Sequence, residues 1–136
     1  MVVVDACVAV KWFLPEEGSD RALALLSGKD ALVAPSLIRT EVAGAIVRRV
    51  RMGTLTTEDA KNSLHMWFEA LGEGVIQVTG DLEDLKEAVN FSLQLQHPIQ
   101  DCLYLAVARR RSARLITADH KFVAKALSVF PAIEAL

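Results

Sequence analysis

Met1-Val2-Val3-Val4-Asp5 opens the chain, and how this stretch is read decides the fold. Three consecutive β-branched residues make a stiff extended run. Apolar on both pleat faces, the run predicts a strand buried on both sides, as in a parallel sheet covered by helices. It stops at a carboxylate. Near the other end the chain repeats this, where Arg114-Leu115-Ile116-Thr117-Ala118-Asp119 is again a short apolar run followed by an acid. In open α/β sheets, functional groups gather in the crevice at the carboxyl ends of the strands. If both runs are parallel strands of one sheet, Asp5 and Asp119 share a rim. The plainer reading makes each Asp the cap of the helix that follows it.

The stretches between support layered α/β architecture. Ala6 to Leu14 reads as a short buried helix stopped by Pro15-Glu16-Glu17-Gly18, and a second helix runs from Ser19 or Asp20 through Leu26 to Gly28. Ala31–Ala34 is a strand candidate, and Ser36 is placed to cap a long helix through Val50. Thr56 and Asp59 form a helix-start pattern of capping-box type, with the helix ending at Gly72. Val75–Val78 reads as a strand, Asp81 as the cap of a helix to Gln96, and His97-Pro98 as punctuation. A helix from Ile99 to Arg111, the Leu115–Thr117 strand, a short helix over Lys121–Leu127 and a weak strand near Val129–Ile133 complete the chain. Helices alternating with short apolar strands argue for one α/β domain with a mainly parallel sheet of four to five strands.

Composition sets the outer limits. At 136 residues the chain fits one domain. No apolar run approaches the ~20 residues of a membrane span, and no signal-peptide pattern is present. Cys7 and Cys102 stand without CxxC spacing, which disfavours a zinc site and suggests buried thiols in a reducing cytoplasm. A net charge of −2 leaves nucleic-acid binding to a local basic surface.

Two further acids sit on apolar helix faces. Glu41 shares its side of the long helix with Leu37, Ile38 and Ala45, and Asp101 shares its own with Tyr104, Leu105 and Ala108. Asp101 also lies in a first helical turn, where the dipole alone favours an acid. Four carboxylates in one crevice repel: two unit charges ~5 Å apart at an effective dielectric near 20 cost about 3 kcal/mol. Such a cluster persists by holding protons or a hard cation, and oxygen-only ligands suit Mg²⁺ or Mn²⁺ better than zinc. Cations held this way suit phosphoryl chemistry, because they acidify water and neutralise charge on a phosphodiester. No P-loop, GxGxxG or Ser-His-Asp pattern offers another mechanism.

The motifs Val4-Asp5-Ala6-Cys7-Val8-Ala9-Val10-Lys11-Trp12-Phe13, Glu41 in the long helix, Asp101-Cys102-Leu103-Tyr104-Leu105-Ala106, and Leu115-Ile116-Thr117-Ala118-Asp119-His120-Lys121-Phe122 together resemble the PIN domain family. Their order and spacing cover nearly the whole chain. More narrowly, a chain of this length resembles the VapC toxins of toxin–antitoxin pairs. The resemblance implies a three-layer fold with a central parallel sheet, and a Mg²⁺-dependent endoribonuclease. It also implies an antitoxin partner, commonly a toxin homodimer, and no membrane. Carried over by position, Asp5, Glu41, Asp101 and Asp119 would be the catalytic acids, with Asp5, Asp101 and Asp119 on the metal and Thr117 ordering the site. One departure stands out: the family usually has Ser or Thr two residues after the first Asp, where this chain has Cys7. A thiol is the poorer hydrogen-bond partner.

Lys11, Arg109, Arg110 and Arg111 are candidates for RNA phosphate contacts, as are Arg39, Arg48, Arg49 and Arg51. Arg109–Arg111 also suit a helix C-terminus on dipole grounds alone. His120 reads as an exposed turn residue beside Asp119, and Trp12, Phe13 and Leu14 as core or, where exposed, as the wall of a peptide groove. Two other functions compete. A phosphoacceptor signalling domain would need a nucleophilic Asp after a middle strand. A PIN-fold interaction module without catalysis remains compatible with Cys7.

Overall fold

The computed structural model describes residues 1–136. Its elements, in chain order, begin with β1 (Val2–Val4), α1 (Ala6–Ala9), a 3-10 turn over Val10–Trp12, α2 (Ser19–Leu26), β2 (Leu32–Pro35) and α3 (Ile38–Arg51). They continue with α4 (Thr57–Gly72), β3 (Gln77–Thr79), α5 (Leu82–Leu95), α6 (Ile99–Arg110), β4 (Arg114–Thr117), α7 (His120–Ala126) and β5 (Ile133–Ala135). The five strands form one sheet in the order β3-β2-β1-β4-β5, and every pairing is parallel. The chain builds outward from β1 through β2 to β3, then returns to lay β4 and β5 on the other side. The order therefore reverses between β1 and β4, the switch point where α/β sheets open a crevice.

Burial explains why β1 is central. Val2, Val3 and Val4 are fully buried, as a strand covered on both faces requires. α6 packs across β1, β2 and β4 and against α5. Its residues Cys102 and Tyr104–Ala108 are all buried, so it behaves as an all-round apolar core helix. Trp12 and Leu14 are also buried, and Trp12 Nε1 donates to Ala22 O at 2.9 Å, tying the 3-10 turn to α2. No helix is long and apolar enough to cross a membrane.

Several boundaries differ from the sequence reading. The Ala6–Leu14 helix tightens after Ala9 into the 3-10 turn, with Phe13 and Leu14 both donating to Val10 O. Ser36 does not cap α3: its N–H still donates to Thr79 O at 2.9 Å, so it belongs to the sheet, and the helix starts at Ile38. The end of α4 at Gly72 is as read, with the left-handed turn following at Gly74, φ 70°. The last strand is not Val129–Ile133 but Ile133–Ala135. Val129 and Phe130 are drawn back to Ala126 O, and Pro131 has no N–H for a ladder.

Candidate active site

Asp5 ends β1 beside β4, with its N–H donating to Ile116 O at 3.1 Å. Its side chain does not cap α1. Instead Oδ2 accepts from Thr117 Oγ1 at 2.7 Å, and the residue is only 5% exposed. Thr117 Oγ1 also accepts from Asp119 N–H at 3.1 Å. Cys7 Sγ lies 3.4 Å from Thr117 Oγ1 and accepts from Ala118 N–H at 3.2 Å. The turns after β1 and β4 are thus laced through one threonine hydroxyl and one thiol. Cys7 keeps the acceptor role a hydroxyl would have.

Asp119 does cap its helix: Oδ1 accepts from Phe122 N–H at 3.0 Å. The cap uses one oxygen and leaves Oδ2 without a hydrogen bond. Asp101, in the first turn of α6, has Oδ2 2.7 Å from His97 Nε2. His97, Asp101 and Asp119 each bring one donor atom to within 4.8 Å of the others. Glu41, in the first turn of α3, accepts at Oε2 from Tyr104 OH at 3.4 Å. Its Oε1 is buried with no partner.

The acids feel one another. Burial pushes the Asp5 carboxyl above the usual range; the Thr117 hydroxyl opposes that, and the Asp101 charge adds to it. Burial, then the charges of Asp5 and Asp101, push Glu41 up to about 7. Tyr104 is pushed up by burial and then by Glu41 and Asp5. Cys7 is pushed up to about 12 by burial and the Asp5 charge, so it is a thiol and not a nucleophile. Mutual repulsion and an orphaned buried carboxylate oxygen are the signs of a site short of positive charge. Of the four acids, only Asp101 and Asp119 come within ligand reach of one another, together with His97, and a set dominated by carboxylate oxygens suits a hard divalent cation.

The basic candidates divide. Arg109 pairs with Glu87 at 2.9 Å and lies over the Phe91 ring. Arg110 and Arg111 both reach the fully buried Asp84 carboxylate, at 3.0 and 2.9 Å, and Arg110 also pairs with Asp81. These three fasten α6 to α5, about 12 Å of helix away from Asp101. Lys11 donates to Glu16 Oε1 at 3.1 Å and Glu17 O at 2.7 Å, and Arg49 pairs with Glu16. Arg48 is exposed and shares a groove with Cys7, Glu41 and Gly44. Arg39, Arg51 and His120 are exposed. Asp81 follows the edge strand β3, and its side chain makes a capping box with Asp84, which leaves no place for a phosphoacceptor aspartate. Sequence reasoning missed His97 and Tyr104. The signal for each was its spacing from Asp101: four residues before it and three after.

The PIN domain family profile matches residues 2–127. A relative from Pyrobaculum aerophilum named Ribonuclease VapC3 is 33% identical over 137 residues, covering 97% of this chain and 96% of its own. Similar solved structures include a toxin–antitoxin complex from Klebsiella pneumoniae, with TM-score 0.70 and 14% identity over 98% of this chain and 96% of that one. VapC20 of Mycobacterium tuberculosis, a toxin that cleaves the sarcin-ricin loop, matches with TM-score 0.69 and 15% identity over 91% and 94%. These structural likenesses speak to the fold, and the family profile and the 33% relative speak to kinship. With acids at both strand ends of the switch point and the profile running through all of them, the chain belongs to the PIN domain family, in its VapC group.

Proposed function

We propose that this protein is a divalent-metal-dependent endoribonuclease, the toxin of a type II toxin–antitoxin pair. The observation that carries the reading is the crevice itself: Asp5, Glu41 and Asp101 feel one another's charge, and one buried Glu41 oxygen is unpartnered. The similarity to Ribonuclease VapC3 supports RNA as the substrate. Asp5, Asp101 and Asp119 would hold Mg²⁺ or Mn²⁺, which when bound neutralises charge on the phosphodiester and acidifies water. Thr117 fixes the rotamer of Asp5 by donating to Oδ2. Tyr104 holds Glu41 through Oε2, and Glu41, pushed up to about 7, would be the group that accepts a proton from the attacking water. Hydrolysis would form the phosphorus–oxygen bond to water and break the one to the leaving ribose oxygen of the RNA, which takes up a proton from solvent. Arg48, on the same face of α3 as Glu41, is the cation best placed for a neighbouring phosphate.

The partner is an antitoxin. An apolar groove lined by Phe13, Leu23, Leu26, Met66 and Val75, with Glu69 and Glu73 at its edge, suits an amphipathic segment with basic flanks. A second copy of the chain is the other partner, and the exposed stripe Leu82, Leu85, Val89 and Leu93 on α5 supports it. The function is tested by incubating purified protein with end-labelled cellular RNA in Mg²⁺, Mn²⁺ or EDTA, with single-stranded DNA alongside. Discrete RNA fragments in either metal and none in EDTA are expected. Intact RNA in both metals would leave a PIN-fold interaction module without catalysis.

A further inference from the structure

His97 stands outside the acids carried by the family resemblance, yet the fold holds it on every side. Its backbone is pinned at the corner between α5 and α6: Gln96 turns the chain in a left-handed conformation at φ 51°. Ser92 Oγ donates to His97 O at 2.6 Å. Its ring stacks on Phe122, with centroids 4.5 Å apart and planes 10° from parallel. The side chain is only 11% exposed. Phe122 is fully buried and also supplies the N–H that Asp119 caps. One residue therefore fixes both the plane of the imidazole and the rotamer of Asp119. Held this way, His97 Nε2 sits 2.7 Å from Asp101 Oδ2. An ionised carboxylate only accepts hydrogen bonds, so Nε2 carries the proton and donates.

We propose that His97 is a positioning residue for the metal site: by donating Nε2–H to Oδ2 of Asp101 it commits that oxygen and turns the other towards the cation. Outer partners of this kind orient ligand carboxylates and typically matter 10- to 100-fold in metal affinity. The inference rests on the metal-dependent reading above. The bland alternative is a helix-start ion pair of the i,i+4 type, which contributes a few tenths of a kcal/mol to folding and nothing to metal binding.

Mn²⁺ binding to the full chain, followed by loss of the free-ion paramagnetic resonance signal, separates these readings without needing an RNA. His97→Phe keeps a ring to stack on Phe122 and deletes the donor. Metal-free thermal melts verify that each variant is folded. His97→Phe is expected to weaken Mn²⁺ binding by about 10- to 100-fold. In an Asp101→Asn background the same substitution should have no further effect, because His97 acts only through Asp101. Unchanged affinity in His97→Phe overturns the inference. So does an equal weakening in both backgrounds, which would make the imidazole a direct ligand. Wild-type protein that binds no Mn²⁺ removes the metal-dependent reading and this inference with it. Binding that is lost in Asp101→Asn but untouched in His97→Phe removes this inference alone.

Discussion

Replacing Glu41 with Gln should stabilise the metal-free protein at pH 8 and do nothing near pH 5. Glu41 is held up at about 7 in the fold, against an ordinary value of 4.5. Its folded-state value lies above its unfolded one, so the native state binds the extra proton between those values. Stability is then fully present below about 4.5 and falls as the pH rises through about 7. At full coupling that span corresponds to about 3 kcal/mol. Glu41 is only partly buried, so solvent screening reduces the figure to about 1–2 kcal/mol. Glu41→Gln deletes the charge and keeps the shape, and its amide can still accept from Tyr104. Burial and Tyr104 packing are common to both pH values and cancel. The expected gain is roughly 3–8 °C in melting temperature at pH 8 for a chain of this size, vanishing towards pH 5. Melts followed by circular dichroism in EDTA at the two pH values measure it. An equal shift at both would show that Glu41 is not ionised against its neighbours, and the crevice would not be short of positive charge.

Cys7 and Cys102, with thiols pushed up to about 12 and about 11 by burial, should resist alkylation at pH 8 in the folded protein; stoichiometric modification before unfolding would contradict their placement. Cys7→Ser should leave the melting temperature within a few degrees, since a hydroxyl can take over the Ala118 N–H, and RNA cleavage should persist. Arg111→Met removes a partner from the fully buried Asp84 carboxylate and should cost about 3 kcal/mol in urea unfolding, with cleavage per folded molecule unchanged. A stable variant with weakened RNA binding would instead return Arg111 to the substrate surface. RNA affinity of a metal-loaded, cleavage-dead variant should fall steeply with salt, and a salt-independent dissociation constant would argue against phosphate contacts.

What could be read from the sequence follows from how far apart the interacting residues lie. The valine run of β1 and the matching run of β4 are local signals, and each ends in its acid, so the shared rim was legible from residues 1–5 and 114–119. Caps at Thr56 and Asp81 were equally local, and both side chains accept from the N–H three residues on. Ser36 was misread because its N–H is claimed by Thr79, 43 positions away in the chain. The acids that pair with Arg109–Arg111, Glu87 and Asp84, sit on another helix, so these pairings were not legible locally. The Thr117–Asp5 bond spans 112 positions, so only the family resemblance, and no local pattern, pointed to Thr117 as ordering the site. His97 looked like punctuation because Pro98 explained it. Its role depends on the Phe122 ring, which arrives from α7.

That the acid cluster is a metal site can be tested whatever RNA the protein cuts. The measurement is the thermal melt of wild type and Asp5→Asn, each in EDTA and in millimolar Mg²⁺. In EDTA, Asp5→Asn should melt at or above wild type, by up to about 1–3 kcal/mol of relieved repulsion. Mg²⁺ should raise the wild-type melting temperature through linkage and leave the variant nearly unmoved, reversing the order of the two proteins. Equal shifts by Mg²⁺ in both would mean the ion binds elsewhere, and these carboxylates would not be its ligands.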